Sequence, residues 1–389
     1  MIAKIAAIPI LAFVITAALL FSHGHPAPLP VPVSNLPEAP TGFDTLTNGF
    51  TSQTNMDADR DQFEEDATLP ALGPFYNARS CADCHDNPVS GGNSQVSEHR
   101  ISPETEKISF ETSATTRYAV LKRQNVAAAT LIHDRSVDPE AQQKAPYDMT
   151  NALRMSLSLM GDGFVEQIPD KELLNLAQKN GGQAILVPVL ESDGKFAVGR
   201  FGWKCQHASL LSFAADADFN EKGVENRLVM ATPPQPSNGI EDNDNPAPGK
   251  PEDIDFYAEM MRSLKAPSRG PITAQVMKGE VIFLKIGCGN CHTKTMTTPT
   301  VQFHPFGDFL LHDVGTGDGI HQGLAPANKV RTPPLWGLRT RPRLLHDGSA
   351  MDIPAAIERH KEEARDEEKQ FDHLSKDDQK LMLVFLNSL

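Results

Sequence analysis

Gly279-Glu-Val-Ile-Phe-Leu-Lys-Ile-Gly-Cys288-Gly-Asn-Cys291-His292 reads as a helix running into a covalent cofactor site. Cys288, Cys291 and His292 form C-x-x-C-H. In this pattern two thiols bond the vinyl groups of a porphyrin and the histidine takes an axial position on its iron. On one helical turn the three side chains point the same way. Cys81-Ala-Asp-Cys84-His85 repeats the pattern near the other end, so four of the five cysteines belong to two copies. The alternatives are a zinc site or redox disulfides. Zinc sites built from paired C-x-x-C place the pairs roughly 15–20 residues apart; here about two hundred separate them, and each pair has its own adjacent histidine. The expectation is two c-type haems, attached at Cys81, Cys84, Cys288 and Cys291 and ligated by His85 and His292.

A chain of 389 residues with motifs near both ends has room for two haem lobes and connecting structure. The net charge of −14 disfavours nucleic acid and anionic membrane surfaces as partners, since both select basic patches. A small soluble electron-transfer protein with a basic docking face fits better. Thirty prolines and 27 glycines imply long irregular connections around the haems.

Met1 to Phe21 carries Lys4 and then an apolar run of 17 residues from Ile5, followed by Ser22-His-Gly-His-Pro26. This is a signal segment, 1–25, that directs export to the periplasm. The run lies at the lower limit for spanning a bilayer, so a membrane anchor results if it is not cleaved. A proline-rich tether, 26–40, follows. The remaining boundaries fall at 41–232 for an N-terminal haem lobe with an inserted hairpin, 233–252 for a Pro/Asn/Asp linker, and 253–389 for a C-terminal cytochrome c-like domain. The fold class is mainly α with a small β portion. Alternation suggests a strand in 108–120 and a hairpin in 185–203; apolar spacing suggests helices at 171–179, 255–264, 275–286 and 375–389. The charged run 358–369 reads as a solvated helical face.

Several side chains stand out beyond the motifs. Glu166 in Phe-Val-Glu-Gln-Ile is a carboxyl whose pKa rises if buried, suited to moving protons at a haem face. Trp203, at the hairpin exit, packs on a porphyrin, conducts electrons between haems, or fills core. His99 could reach the first iron, and Cys205 reads as a buried inert thiol.

Leu72 to His85 with Gly-Pro-Phe-Tyr-Asn-Ala-Arg-Ser-Cys, Gly199-Arg-Phe-Gly-Trp-Lys204, Phe309-Leu-Leu-His-Asp313, Arg331-Thr-Pro-Pro-Leu-Trp-Gly-Leu338 and Leu345-His-Asp-Gly348 together resemble the bacterial di-haem oxidoreductases, also called peroxidases or thiol oxidoreductases. The C-terminal half is similar, more distantly, to di-haem cytochrome c peroxidases. The resemblance implies a peroxidase-like oxidoreductase in which one haem relays electrons to a second, substrate-facing haem that reduces peroxide or another small oxidant. A calcium ion between the lobes is a further implication. In those peroxidases a methionine after the His-Asp-Gly motif ligates the C-terminal iron; counting the same fourteen residues on from His346 reaches His360. His360 is therefore the expected ligand opposite His292, and imidazole in place of thioether lowers the potential. His346, Arg339, Arg341 and Arg343 are expected around haem propionates or the catalytic site. A pure electron-transfer cytochrome and a di-haem oxygenase or modifying enzyme remain as alternatives. The thiol-oxidoreductase label finds no support, because haem consumes the C-x-x-C thiols.

Overall fold

The helix Ala274–Lys285 forms because Thr273 caps Val276 N–H and the residues up to the glycine turn at Gly287 favour helix. One face, with Val276, Gly279 and Phe283, packs on the C-terminal helix Lys376–Leu386 through Met382, Phe385 and Leu386. Gly279 permits the crossing: a Cβ there would meet the carbonyl oxygen of Leu381 at 2.0 Å. The cysteines of the second motif sit on the 3-10 turn Cys288–Asn290 that follows.

The computed structural model describes residues 35–68, 72–73, 75–94, 96–103, 131–136, 149–229, 240–241 and 251–389. The expected signal segment, the expected tether as far as residue 34, the strand expected at 108–120 and most of the expected linker lie outside these. Among the described residues no helix is long and apolar enough to cross a membrane. The architecture is mixed, with helices joined by irregular segments and by small sheets.

Residues 36–389 make one compact unit. Its larger core mixes side chains from before and after the 233–252 segment: Met56, Phe63, Phe164 and Leu210 meet Ala258, Met260, Phe309 and Trp336. Gln53–Glu64, capped by Ser52, lies on Asp253–Ser263, which opens with a capping box between Glu252 and Asp255. Backbone bonds strap the early chain across the later: Ala39 N–H donates to Gln302 O, Gly42 to Ala266 O and Asn48 to Ser263 O.

Three antiparallel strands, Leu131–Ile132, Ser97–Pro103 and Met149–Met155, form the largest sheet, with Glu98 opposite Arg154. The hairpin of Leu186–Pro188 and Phe196–Val198 turns through Gly194. Its exit bridges Phe201 to His207 and carries Trp203 and Lys204 between them. Leu311–His312 pairs with Val330–Arg331 and brackets a glycine-rich loop, 313–329. The charged run at 358–369 does not form one helix. Ile353–Glu358 ends at Arg359, a 3-10 turn covers Glu362–Ala364, and Arg365–His373 begins anew. At the break His360 is half-buried and its Nδ1–H donates to Ala356 O at 2.8 Å.

Candidate functional site

Each C-x-x-C-H lines its own cavity. In the first motif Ser80 caps the 3-10 turn Cys81–Asp83, and His85 N–H closes it on Cys81 O at 3.0 Å. The second closes the same way, His292 N–H on Cys288 O at 2.9 Å. Cys288, Cys291 and His292 face a cavity of 390 Å³, and Cys81, Cys84 and His85 face one of 140 Å³. The two share a wall of Ser156, Leu157, Trp203 and Arg331.

All five cysteines are free. Burial pushes the Cys81, Cys84 and Cys288 thiols up to about 12, the reverse of a reactive thiolate. Among the described residues the one group of three His, Cys or acidic side chains close enough to share an ion is Cys291, Asp308 and His312. It joins neither thiol pair, as a zinc site would require, and it is unlike the all-oxygen shell of calcium.

The second cavity holds a pair of facing imidazoles. The rings of His292 and His360 lie 6.5 Å apart, centroid to centroid. His292 Nδ1–H donates to Phe306 O at 3.0 Å and His360 Nδ1–H to Ala356 O, which leaves Nε2 as the ligating nitrogen of both. Metal–imidazole bonds of about 2 Å fit one ion between two rings at this separation. Burial, with His360 alongside, holds His292 down to about 4, and burial lowers His360 as well, so both are the neutral bases a metal needs.

The polar groups of the cavity walls also fit a porphyrin with its two carboxylates. Arg341 Nε, Arg331 Nε and His346 Nδ1 are buried without hydrogen-bond partners. Burial, with Arg331 next in effect, holds the Arg341 guanidinium down at about 10. Arg331 feels the carboxyl of Asp162, whereas the charge acting on Arg341 is that of Arg331; a buried cation without a counter-charge is costly, and propionates would supply that charge. Arg343 lines the same cavity, its Nε–H donating to Gly348 O at 3.2 Å. Arg339 does not. The 3-10 turn Leu338–Thr340 carries it to the surface, where it stacks on Phe43 at 4.9 Å and donates to Ser268 O. His346, 5% exposed, stands edge-on to Trp203 at 6.0 Å on the wall of the second cavity.

The first cavity differs in kind. Among its described lining residues His85 is the one histidine; its Nδ1–H donates to Gly92 O at 3.1 Å. His99 instead bonds Asn151 Oδ1 at 2.9 Å on the sheet and does not line it. Other potential ligands are engaged: Lys222 Nζ lies 3.1 Å from Asp218 Oδ1 and 2.8 Å from the Tyr257 hydroxyl, and Met261 packs in the core.

Glu166 is turned away from this cavity. Arg262 clasps it at 2.7 and 3.0 Å, and it accepts Leu210 N–H at 2.7 Å, opening the helix Leu210–Ala217. Five carboxyls do line the cavity, Glu98, Asp162, Asp216, Asp218 and Glu221; Asp162, four residues before Glu166, is 7% exposed. Burial pushes it up to about 7, with Arg331 pulling the other way. Sequence reading missed it because Asp-Gly between Gly161 and Phe164 looks like turn punctuation. Its place at the start of the short helix Asp162–Glu166 was the available signal.

Behind the shared wall lies a closed ionic cluster. Asp318, with no exposed side-chain surface, takes Lys204 Nζ on Oδ1 at 2.9 Å and Arg154 Nε on Oδ2 at 2.7 Å. Lys204 Nζ also donates to the carbonyls of Pro326, Ala327 and Lys329 at 3.1, 3.2 and 2.7 Å. The cluster pins the 313–329 loop beside Trp203, whose Nε1–H donates to Met155 O at 2.6 Å. Cys205, the next residue after Lys204, is buried, and its thiol is pushed up to about 12 by burial.

His312 ties the second motif to the rest. Its Nε2 and Nδ1 each lie 3.0 Å from a carboxylate, Asp308 and Glu363, which leaves no nitrogen for iron or a propionate. Burial opposes its charge, but in the haem-free chain, where Cys291 is a free thiol, Asp308 and Cys291 outweigh it and lift His312 to about 10. A folded pKa above the unfolded value of about 6.5 gives stability that is complete below pH 6.5 and lost as pH rises towards 10. Melting temperature of the haem-free chain should therefore decline between those limits, and His312→Gln should flatten the decline; parallel pH profiles for the two proteins would refute the tie.

The sequence profile described as "Di-haem oxidoreductase, putative peroxidase" matches residues 120–389. No curated protein matches the chain. Among solved structures, hydrazine synthase of Kuenenia stuttgartiensis, pressurised with 20 bar xenon, is similar at 15% identity and a TM-score of 0.45, with 99% of this chain and 100% of that chain covered. A MauG-like protein associated with microbial copper homeostasis is similar at 13% identity and a TM-score of 0.43, with 93% and 95% covered. With the greater part of its length matched by that profile, the chain is an oxidoreductase and belongs to the di-haem oxidoreductase family.

Proposed function

We propose that the chain is an exported, periplasmic di-haem c-type cytochrome with peroxidase-like activity. Cys288 and Cys291 would carry the relay haem between His292 and His360, and Cys81 and Cys84 the substrate-facing haem on His85. The observation that carries this reading is the asymmetry of the two cavities: an imidazole faces His292, and among the described residues no second histidine lines the cavity of His85. When bound, such haems supply one-electron transfer and, at an open axial position, activation of a small oxidant.

The chain's own groups divide the remaining work. His292 and His360 each keep Nδ1–H on a carbonyl, which fixes both rings and leaves Nε2 unprotonated. Trp203 fills the shared wall with an aromatic surface that shortens the path between the cavities. Arg331 and Arg341, with unpartnered Nε–H groups on the cavity wall, would hold anionic propionates away from water. Reducing peroxide to two waters takes two electrons and two protons. Asp162, close to half-protonated at neutral pH, holds a proton inside the first cavity and can return it to a departing oxygen. Glu221, also lifted to about 8 by burial, is engaged by Asn77 at 3.1 Å, which makes Asp162 the freer acid.

Electron paramagnetic resonance of the ferric protein tests the reading. One low-spin and one high-spin haem are expected, with two haems by pyridine haemochrome. Two low-spin haems unmoved by cyanide would make the protein an electron-transfer cytochrome instead. Asp162→Asn should lower peroxide turnover by about 10²-fold, within the range for a lost general acid, while both haem spectra stay as they are. Unchanged turnover would remove Asp162 from the reaction.

A further inference from the structure

Among the described residues eleven large hydrophobic side chains are exposed, and four of them fall within 272–284: Ile272 at 60%, Met277 at 54%, Val281 at 64% and Leu284 at 41%. Met277, Val281 and Leu284 are spaced i, i+4, i+7, so they make one stripe along the 274–285 helix. The packing needs of that helix are already met on another face, by Val276, Gly279 and Phe283. A second, solvent-facing apolar stripe has no part in the fold, and clustered exposure of this kind marks an interaction surface.

The stripe leads to the second motif. Leu284 lies over its turn: a Cβ on Gly289 would come within 2.6 Å of Leu284 Cδ2. Cys288 and Gly289 are only half-buried and Asn290 is exposed, so this turn is at the surface. The exposed charges on the helix are Lys278 and Lys285, seven residues apart and therefore on one side of the stripe. Its acid, Glu280, is buried and engaged by Arg269 and Lys294. On a chain with a net charge of −14 the helix's own side of the stripe is basic, while Glu367, from Arg365–His373, lies against Gly287 beyond its end.

The geometry points to the 272–285 face as the docking site of a small electron-transfer protein whose own cofactor edge is apolar and ringed by carboxylates. The inference rests on the reading that a haem is held at Cys288 and Cys291, and it names the electron donor's surface. A partner seated on Val281 and Leu284 meets the chain beside the surface turn Cys288–Asn290 that would carry that haem. An apolar centre with a few flanking charges gives the weak, rapidly exchanging contact that electron transfer needs. The local charge reverses what net charge alone implies: the partner's face is acidic.

The test uses the full-length holoprotein and two reduced probes, a small blue-copper protein with a carboxylate-ringed copper edge and a basic c-type cytochrome. At low ionic strength the acidic probe should reduce the protein at least tenfold faster than the basic one. Val281→Glu and the double variant Lys278→Glu/Lys285→Glu should each slow the acidic probe about tenfold, with haem spectra and reduction by dithionite unchanged. Carbodiimide should cross-link carboxylates of the acidic probe to Lys278 or Lys285. Cross-linking does not depend on a loaded haem, so a failure of haem binding is seen separately in the spectra. Equal rates with both probes, insensitivity to both variants, or cross-links mapped elsewhere would overturn the assignment. So would a wild-type dimer that Val281→Glu dissociates, because the face would then belong to a second copy of the chain.

Discussion

If His360 ligates the proposed second haem, His360→Ala should turn that haem from low-spin to high-spin in the ferric state, and His360→Met should raise its midpoint potential by on the order of 0.1 V. The direction follows from thioether ligation, which raises potential relative to imidazole, within a span of roughly 0.8 V set by axial ligands. The 6.5 Å ring separation and the carbonyl-anchored Nδ1 atoms leave two Nε2 lone pairs in the cavity that contains Cys288 and Cys291. The first haem, on a different cavity, should keep its spectrum in both variants. Unaltered spectra of the second haem would reduce the ring pair to packing. Redox titration together with electron paramagnetic resonance reads both effects in one preparation.

Asp318→Asn is expected to cost about 3–5 kcal/mol of stability, the range for removing one member of a buried ion network. The substitution keeps the size of the side chain but leaves Lys204 and Arg154, 0% and 3% exposed at their side chains, without their carboxylate. Burial already holds Lys204 down to about 8 against the pull of Asp318, so the ammonium has little margin. Urea unfolding should show the loss as a lower midpoint. Adding Lys204→Met to Asp318→Asn should recover part of it, because one of the uncompensated cations is then gone. If the two losses simply add, the cluster is not the coupled unit its distances describe.

Local chemistry made much of this protein legible in its sequence. C-x-x-C-H needs its residues within one turn, so both motifs can be read without knowing what surrounds them. The helix at 274–285 and the 186–198 hairpin follow from apolar periodicity, glycine and turn residues within short windows. His360 came instead from the resemblance to di-haem peroxidases, through their spacing counted on from His346, and the folded chain brings its ring within 6.5 Å of that of His292.

What sequence could not supply is the meeting of distant residues. Arg154, Lys204 and Asp318 come from three separate segments, and none has a local pattern that marks it for burial. Arg331 was quoted only as part of a motif, yet it lines both cavities. The choice between Asp162 and Glu166 depended on Arg262, almost a hundred residues further on, which claims the glutamate. Arg339 points outward because a 3-10 turn advances each residue by a wider angle than an α-helix does.

The shared wall also bears on how the protein comes into being. Cys81 and Cys84 are among the first reactive groups of the folded unit to be synthesised, whereas the side chains that complete their enclosure, Trp203 and Arg331, come much later in the chain. The thiol pair therefore stays bare until the later segments fold back over it. Whatever loads the first motif has that interval in which to act, and an oxidant has the same interval in which to join the two sulfurs wrongly.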